Sequence, residues 1–372
     1  MITGMYAALI ADTAWLADEQ TMFRFMIVGL LDEQVRVAQV VPRRTGDEQI
    51  STFGARVAWR DSRHEWVRRA RLAWLADDLD SLRVTVLHAL DGRLWDGALQ
   101  LALRLGLPVV LNVSSSDDLE RAARLRRSIA ACRTAFCAAT APLGDAIRRG
   151  APDPSLVEVI AFGAHVEQHV PPRPLDDTLC IVVTGNGVYD AQYQVLFSAM
   201  GAFVADHPGA MFFFDGQGSD QHQLWQAARR CGLLSHASMI PPHAGHRELL
   251  SGAHLLIQPQ SLGRARNLTI EAMGVGLPVL ARRDDWLDYL IDGHTAWLAD
   301  TPDADDWAMM LRRSIEQPQA AQQLGESAQQ WVRDHHLAAN QVEKTIQLYR
   351  NVSGESYKLF EQDGAAPNGS SK

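Results

Sequence analysis

A stretch in the second half of the chain combines two cations, a helix start and a carboxylate in a pattern that suits phosphate chemistry. Arg264 and Arg266 precede Asn267, a residue type that caps helices, and Glu271 follows one turn later. Free backbone amides and the helix macrodipole make such an N-terminus attractive to a phosphate. A carboxylate at Glu271 could accept hydrogen bonds from ribose hydroxyls of the same ligand. The pattern predicts a nucleotide site, and the alternative is a capped, packed helix with two solvated arginines.

Alternating strand and helix patterns must position these residues. Apolar runs that lack period-two alternation are typical of parallel strands covered by helices on both faces, and longer helical patterns separate them. Such alternation predicts right-handed βαβ units and a doubly wound α/β sheet. In the first half, the predicted strands are Tyr6–Ala11, Arg36–Val41, Val84–Leu87, Val109–Val113 and Leu156–Ile160, with helices near 19–31, 62–76, 93–105, 117–129 and 142–149.

The proline-rich segment Pro171–Asp177 interrupts this alternation and predicts a domain linker. The pattern then restarts, so we predict a first Rossmann-like domain at 1–170 and a second at 171–352, followed by a disordered tail at 353–372. Ligands of such sheets bind at the carboxyl ends of the strands, which predicts a site in the cleft between the domains. The later strands are predicted at Leu179–Thr184, Ala210–Phe214, Ala253–Ile257 and Pro278–Ala281, and the later helices at 191–206, 219–231, from 268, and at 303–316, 318–336 and 339–350.

Composition narrows the class of protein. The 372 residues are 47% hydrophobic and 21% charged, as in ordinary globular proteins, and the net charge of −9 argues against a nucleic-acid partner. The four cysteines lack the spacing of a zinc site, so we expect buried free thiols and no metal. We find no signal peptide and no membrane span, which favours a cytoplasmic protein.

The motifs of residues 253–300 resemble those of one known family. The run that begins at Glu271, EAMGVGLPV, is similar to the EAMA-x-G-x-PVV signature of group 1 glycosyltransferases, the retaining GT-B class. Leu290–Leu298 resembles the family's "i-dG-x-x-G-l-l" continuation, and Ala253–Gln260 resembles its "ad-l-v-x-PS" strand. The resemblance covers about residues 80–350 in the right order.

This resemblance implies a GT-B fold and sugar transfer with retention at the anomeric carbon. The second domain would hold a nucleotide-diphosphate sugar and the first a glycan or lipid-linked acceptor, with no bound metal or other cofactor. Glycine turns after two strands of the second domain would contribute to the donor site together with Glu271 and the loop before it. The implied donor residues are Glu271, Gly263, Arg264, Arg266, Asn267, Leu268, Thr269, Gly185, Asn186, Gly187, Gly216 and Gly218, and the implied acceptor residues are Asp12, His88 and Ser114.

Several family residues are absent. The family's first glutamate, which seven residues separate from the second, is replaced by Gly263, and the arginine of its "G-R" turn falls near Asn186. A histidine at the end of a first-domain strand aligns with Ser114, and the usual Gly-Gly loop is replaced by Asp12–Glu19. The phosphate-binding lysine has no counterpart, because no lysine precedes Lys344. We therefore hypothesise that Arg264 and Arg266 bind the diphosphate in place of the missing cations.

The missing residues leave other functions open. The main alternative is a degenerate GT-B protein that binds a nucleotide sugar, a glycan or a partner without catalysis. A nucleotide-sugar epimerase or a glycoside phosphorylase is a further alternative, although the lack of lysine in residues 1–343 argues against pyridoxal phosphate. The basic helix Arg63–Trp74 predicts at most peripheral contact with a membrane.

Overall fold

The computed structural model describes residues 4–46, 50–59, 65–168, 178–185, 188–215, 221–240 and 246–354. Four predicted site residues, Asn186, Gly187, Gly216 and Gly218, lie outside this part of the chain, as do the predicted linker at 171–177 and the tail from 355. Within it, the chain forms two parallel sheets flanked by helices, which confirms the predicted α/β class. No described helix is long and apolar enough to cross a membrane.

The first sheet lies within residues 6–159 and has the strand order β3-β2-β1-β4-β5-β6-β7, all parallel. Its strands β1, β4, β5 and β6 are buried throughout, as continuous apolar runs predict. The strands are β1 (Tyr6–Ile10), β2 (Arg36–Pro42), β3 (Ala55–Trp59), β4 (Val86–Ala89), β5 (Val109–Val113), β6 (Thr134–Ala138) and β7 (Val157–Val159), and the helices are α1 (Thr13–Asp32), α2 (Glu65–Ser81), α3 (Trp95–Leu105), α4 (Ser116–Arg124), α5 (Arg126–Ala131) and α6 (Ala141–Arg148).

The second sheet lies within residues 179–299 and repeats the same topology, with the order β10-β9-β8-β11-β12-β13. The predicted boundary between 170 and 171 therefore falls between the two sheets, in a segment outside the described residues. The strands are β8 (Leu179–Thr184), β9 (Ala210–Asp215), β10 (Ala237–Ile240), β11 (Leu255–Gln258), β12 (Val279–Arg282) and β13 (Trp297–Ala299), and the helices are α7 (Ala191–Asp206), α8 (Gln221–Arg230), α9 (His246–Gly252), α10 (Asn267–Gly274), α11 (Ala304–Glu316), α12 (Pro318–His335) and α13 (Ala338–Ser353).

Three predicted helices of the first half differ from the observed ones, and one of them, predicted at 62–76, is α2 and ends only at Ser81. Helix α1 begins at Thr13 rather than near residue 19, because the Asp12 carboxylate caps it by accepting from the Trp15 amide at 2.7 Å. The buried side chains of Trp15 and Leu16 then hold the added turn against the core. The single helix predicted at 117–129 is two helices, α4 and α5, which meet at Leu125.

Helix α13 returns from the second half to the first sheet. It packs on α1 and beside β5 and β6, and the amide of Gly163 donates to Oε1 of Gln341 at 2.9 Å. One contiguous apolar cluster joins side chains of both halves, among them Phe23 of α1, Ile270 of α10 and Tyr349 of α13. The two sheets are therefore held together by a shared core as well as by polar contacts.

Candidate functional site

The carboxyl ends of the two sheets meet at a pair of loops. The amide of Ser116 donates to the carbonyl of Gly263, and the amide of Ala265 donates to the carbonyl of Ser114, each at 2.8 Å. A residue predicted on the acceptor side and residues predicted on the donor side are thus in direct backbone contact. This pairing places the start of α10 against the first domain, as expected for ligands bound at the carboxyl ends of parallel strands.

Gly263 stands where the family has its first glutamate, and its surroundings require glycine. Its φ of +58° lies in the left-handed region, and a Cβ there would collide with the Ser116 side chain and with the ring of Trp286. Its amide donates to the Asp284 carboxylate at 2.7 Å. The close approach of the two domains therefore excludes any side chain at this position.

Helix α10 begins one residue earlier than the sequence predicted. Arg266, with an extended backbone, is the N-cap and makes no side-chain capping bond, so the prediction of Asn267 as the cap is wrong. Asn267 is the first helical residue, and its amide group donates to Oε1 of Glu271 at 2.6 Å. The Asn267 side chain therefore binds Glu271 and does not cap the helix. As the first residue inside the helix, its side chain points away from the free backbone amides from which an N-cap side chain would accept.

The neighbours of Asn267 on α10 hold the helix in the core. Leu268 belongs to the apolar cluster that joins both halves, and Thr269 is fully buried. The Thr269 hydroxyl donates to Oε1 of Gln258, the last residue of β11, at 2.7 Å. These two predicted site residues therefore anchor α10, which fixes the position of Glu271 relative to the sheet.

A carboxylate of the first domain lies at the N-terminus of α10. Oε2 of Glu19 accepts from the backbone amide of Asn267 at 3.2 Å, and Glu19 is buried. Burial raises the pKa of Glu19 to about 8, although the nearby Arg266 and Arg264 oppose this shift. Glu19 was missed from the sequence, and its only signal was the replacement of a Gly-Gly loop by a segment that ends in Asp-Glu.

Both arginines of the predicted site are paired with acids. Nη2 of Arg264 lies 3.0 Å from Asp18, and the Arg266 guanidinium lies 3.6 Å from Asp18 and 3.3 Å from Asp215. Arg266 is only 4% exposed, so the alternative of two solvated arginines is wrong for this residue. Burial disfavours its charge, but Asp18 and Asp215 overcome this effect and raise the pKa of Arg266 above its usual range. The two arginines and the two acids form an ion network that joins the domains.

The turn after β8 is closely packed. A Cβ on Gly185 would collide with the Tyr193 hydroxyl and the Gln260 amide, so this position also requires glycine. The amide group of Gln260 donates to Asp190 at 2.6 Å, and Asp190 in turn caps α7. Gly185 therefore lies near the loop that leads to α10, as the donor-site prediction requires, while its partners Asn186 and Gly187 are outside the described residues.

Of the predicted acceptor residues, Asp12 and Ser114 lie at the carboxyl ends of the first sheet. Asp12 follows β1 and pairs with Arg93 at 3.2 Å, and Arg93 also contacts Asp91 at 2.6 Å. Ser114 follows β5, and its amide donates to Asp118 at 3.0 Å. Burial raises the pKa values of Asp12 and Asp118 above their usual range. These groups form a polar surface beside the ion network.

His88 has a different position from the one predicted. It is buried on β4, its Nδ1 lies 2.7 Å from the Tyr349 hydroxyl and its Nε2 lies 3.1 Å from Oδ1 of Asn112. Burial lowers the pKa of His88 to about 4, so the imidazole is neutral at pH 7. Both ring nitrogens are engaged, and the residue ties α13 to the first sheet instead of facing an acceptor.

No group of three or more His, Cys, Asp or Glu side chains placed to hold a metal ion occurs among the described residues. The site described so far consists of a helix N-terminus, two arginines and a carboxylate one turn into the helix, opposed by acids of the first domain. Its charged groups can bind an anion and stabilise charge that develops on it.

Residues 167–331 match the family model of group 1 glycosyl transferases. This span includes the second sheet and α10, and the match confirms the resemblance found in the motifs of residues 253–300. A comparison with curated proteins found no match.

Solved structures with the same fold cover nearly the whole chain. A glycosyltransferase from Rickettsia africae is 10% identical, with a TM-score of 0.72 over 95% of this chain and 100% of that one. Anabaena HepE in complex with UDP-glucose is 13% identical, with a TM-score of 0.73 over 94% and 100%. Sucrose-phosphate synthase from Thermosynechococcus elongatus is 16% identical, with a TM-score of 0.71 over 95% and 100%. At these identities the likeness concerns the fold, and this chain has the GT-B fold.

Proposed function

We propose that this chain, whose second half matches the group 1 glycosyl transferases, moves a sugar from a nucleotide-diphosphate donor to a hydroxyl of a glycan or other acceptor, with retention at the anomeric carbon. The observation that carries the proposal is the start of α10. There, Arg264, Arg266 and a backbone amide converge at the cleft, and Glu271 lies one turn further on. The complex of HepE with UDP-glucose supports a nucleotide sugar as the ligand of this fold.

Each part of this site has a role in the proposed reaction. The arginines and the helix N-terminus would hold the diphosphate and stabilise the charge that develops on it as the leaving group. Glu271 would accept hydrogen bonds from the ribose, and Asn267 keeps its carboxylate in place through the 2.6 Å bond. The acceptor would bind beside Asp12 and Ser114 and attack from the face that the diphosphate leaves.

The donor phosphate would take the proton of the acceptor hydroxyl, as the resemblance implies for retaining enzymes. The contact between loops 114–116 and 263–265 supports this arrangement, because a closed cleft excludes water from the reacting carbon. The four cysteines are free thiols, which fits our expectation of a cytoplasmic protein, although only Cys137 is buried as predicted and the other three are partly exposed. A lipid-linked acceptor remains a prediction.

A thermal-shift panel of UDP-, GDP- and ADP-sugars with their free diphosphates tests the proposal. We expect one donor to raise the melting temperature, and the same donor to release its nucleotide slowly when an acceptor mixture is added. The double variant Arg264→Ala, Arg266→Ala should lose the response to that donor. A double variant that binds as tightly as the wild type would refute the assignment of the arginines to the diphosphate.

The second candidate is a protein that binds a sugar nucleotide or glycan without catalysis. The specific observation that favours it is the pairing of both arginines with Asp18 and Asp215, since paired cations attract a phosphate less strongly. Stabilisation by a nucleotide with no release of product under any acceptor mixture would support this candidate over the transferase.

A further inference from the structure

Two adjacent acids of α1 occupy the positive end of α10. Asp18 lies 3.0 Å from Nη2 of Arg264 and 3.6 Å from Nη1 of Arg266, and Glu19 accepts from the Asn267 amide at 3.2 Å. The groups that would hold a phosphate therefore hold two carboxylates of the same chain. A phosphate and this pair of acids cannot both have these contacts.

A break in α1 makes this contact possible. Adjacent residues of a regular helix point about 100° apart, so two of them do not normally face one target. At Glu19 the backbone leaves the helical region, with φ of −122° and ψ of 25°, and the helix kinks there. The segment from Thr13 to Asp18 thus forms a short arm, and its end turns toward the second domain.

The contact leaves two buried polar atoms without a hydrogen bond. Nη1 of Arg266 and Oδ1 of Asn267 are buried and make no hydrogen bond, although each residue is at most 4% exposed. Unsatisfied buried donors and acceptors cost free energy, so the two carboxylates complete this site only in part. A diphosphate offers more acceptor oxygens than a carboxylate, and a ligand hydroxyl could donate to Oδ1 of Asn267.

We propose that Asp18 and Glu19 are a built-in competitor for the donor diphosphate, and that the donor binds by displacing them from Arg264, Arg266 and the N-terminus of α10. The inference rests on the proposed function for the identity of the ligand. The arm itself stays in place, because Trp15 and Leu16 are buried in the core, and the side chains of Asp18 and Glu19 rotate away from α10 when the diphosphate arrives.

The strength of the competitor depends on the ionisation of Glu19. The charged and titratable groups around it are Asp18 on its own helix, Arg264 and Arg266 before α10, and Tyr289 beyond α10. Burial raises the pKa of Tyr289 as well, so the phenol stays neutral, while the pKa of Arg266 is raised by its acidic neighbours and this guanidinium stays charged. Because the pKa of Glu19 is about 8, the residue competes as an anion above pH 8 and as a neutral acid below it.

Calorimetric titration with inorganic pyrophosphate tests the inference without reference to a nucleobase or sugar. We expect Glu19→Gln to bind pyrophosphate about tenfold more tightly than the wild type at pH 9, where one charge-assisted contact of the competitor is lost. At pH 6.5 the two should agree within about threefold, because protonated glutamate resembles glutamine. The ratio of the variant's affinity to that of the wild type is compared at each pH, because the protonation of pyrophosphate itself affects both proteins equally and cancels.

Asp32→Asn is the matched control, since it removes one negative charge from the exposed end of the same helix. It should bind pyrophosphate as the wild type does at both pH values. Asp18→Asn should bind pyrophosphate more tightly than this control. This variant replaces Glu19→Gln in the test if Glu19→Gln does not fold. Affinities of the Glu19 or Asp18 variant equal to that of Asp32→Asn at pH 9 would overturn the inference.

The same variants separate the inference from the proposed function. Tighter binding of pyrophosphate together with tighter binding of UDP, GDP or ADP supports both. Tighter binding of pyrophosphate by the variants, with no binding of any of the three nucleotides, supports the competitor and refutes the nucleotide site. A nucleotide that binds the wild type and both variants equally supports the site and refutes the competitor.

Discussion

Removal of the Arg266 guanidinium should destabilise the folded chain far more than removal of an exposed arginine. Arg266 is 4% exposed and lies 3.3 Å from Asp215, which is 2% exposed, so methionine at 266 removes the cation from a buried ion pair. Breaking such a pair costs about 3–5 kcal/mol, because a buried carboxylate loses its compensating charge. The exposed pair of Arg312 and Asp206 should contribute less than about 1 kcal/mol.

Urea unfolding followed by circular dichroism measures these differences, with constant m-values as the check that only stability has changed. We expect Arg266→Met to lower the free energy of unfolding by about 3–5 kcal/mol and Arg312→Met by less than about 1 kcal/mol. In the double variant Arg266→Met, Asp215→Asn the losses should fall short of additivity by about 2 kcal/mol. Equal effects of the two arginine variants would refute the view that Arg266 and Asp215 form a buried ion pair.

Three further predictions follow from the same structure. The pKa of buried His88 is about 4, whereas that of an exposed histidine is about 6.5, so mainly the unfolded chain gains a proton as the pH falls. The free energy of unfolding should therefore drop by about 3 kcal/mol between pH 7 and pH 4. His88→Gln should lose this part of the pH dependence in urea titrations. Gly263→Ala should lower the free energy of unfolding by about 1–3 kcal/mol, whereas Gly97→Ala, in a helix with open space around this residue, should not destabilise the protein. Equal melting temperatures of the two variants would contradict this prediction. Glu271→Gln should weaken nucleotide binding about tenfold while exposed Glu326→Gln leaves it unchanged, as isothermal titration would measure.

Most interior strands were predictable, and most of the strands that the sequence did not reveal lie at sheet edges. Residues 109–113 and 179–184 were predicted without error, because strands covered on both faces read as uninterrupted apolar runs. Of the four strands that the sequence did not reveal, β3, β10 and β13 lie at sheet edges and are only partly buried, whereas β6 is an interior strand that is buried throughout. At an edge, fewer side chains need to be apolar, so the pattern on which the prediction depends is weak.

The site was predictable only where its residues are close in sequence. The loop before α10 and Glu271 were found because a helix start, cations and a carboxylate occur within eight residues. Asp18 and Asp215, which neutralise the arginines, and Glu19, which reaches the Asn267 amide, come from segments 50 to almost 250 residues away. Nothing in local spacing indicates such partners.

The sequence by itself determined the class of fold, the repetition of one sheet topology, and the position of a helix start suited to a phosphate. These features depend on the local alternation of apolar and polar residues and on cap and turn chemistry, which each segment carries alone. Only the tertiary structure decided that Arg266 is buried and paired, that position 263 admits no side chain, and that Glu19 lies at the end of α10. The physical reason is that burial and electrostatic pairing are properties of two surfaces in contact, and here these surfaces come from segments far apart in sequence, several of them in different domains.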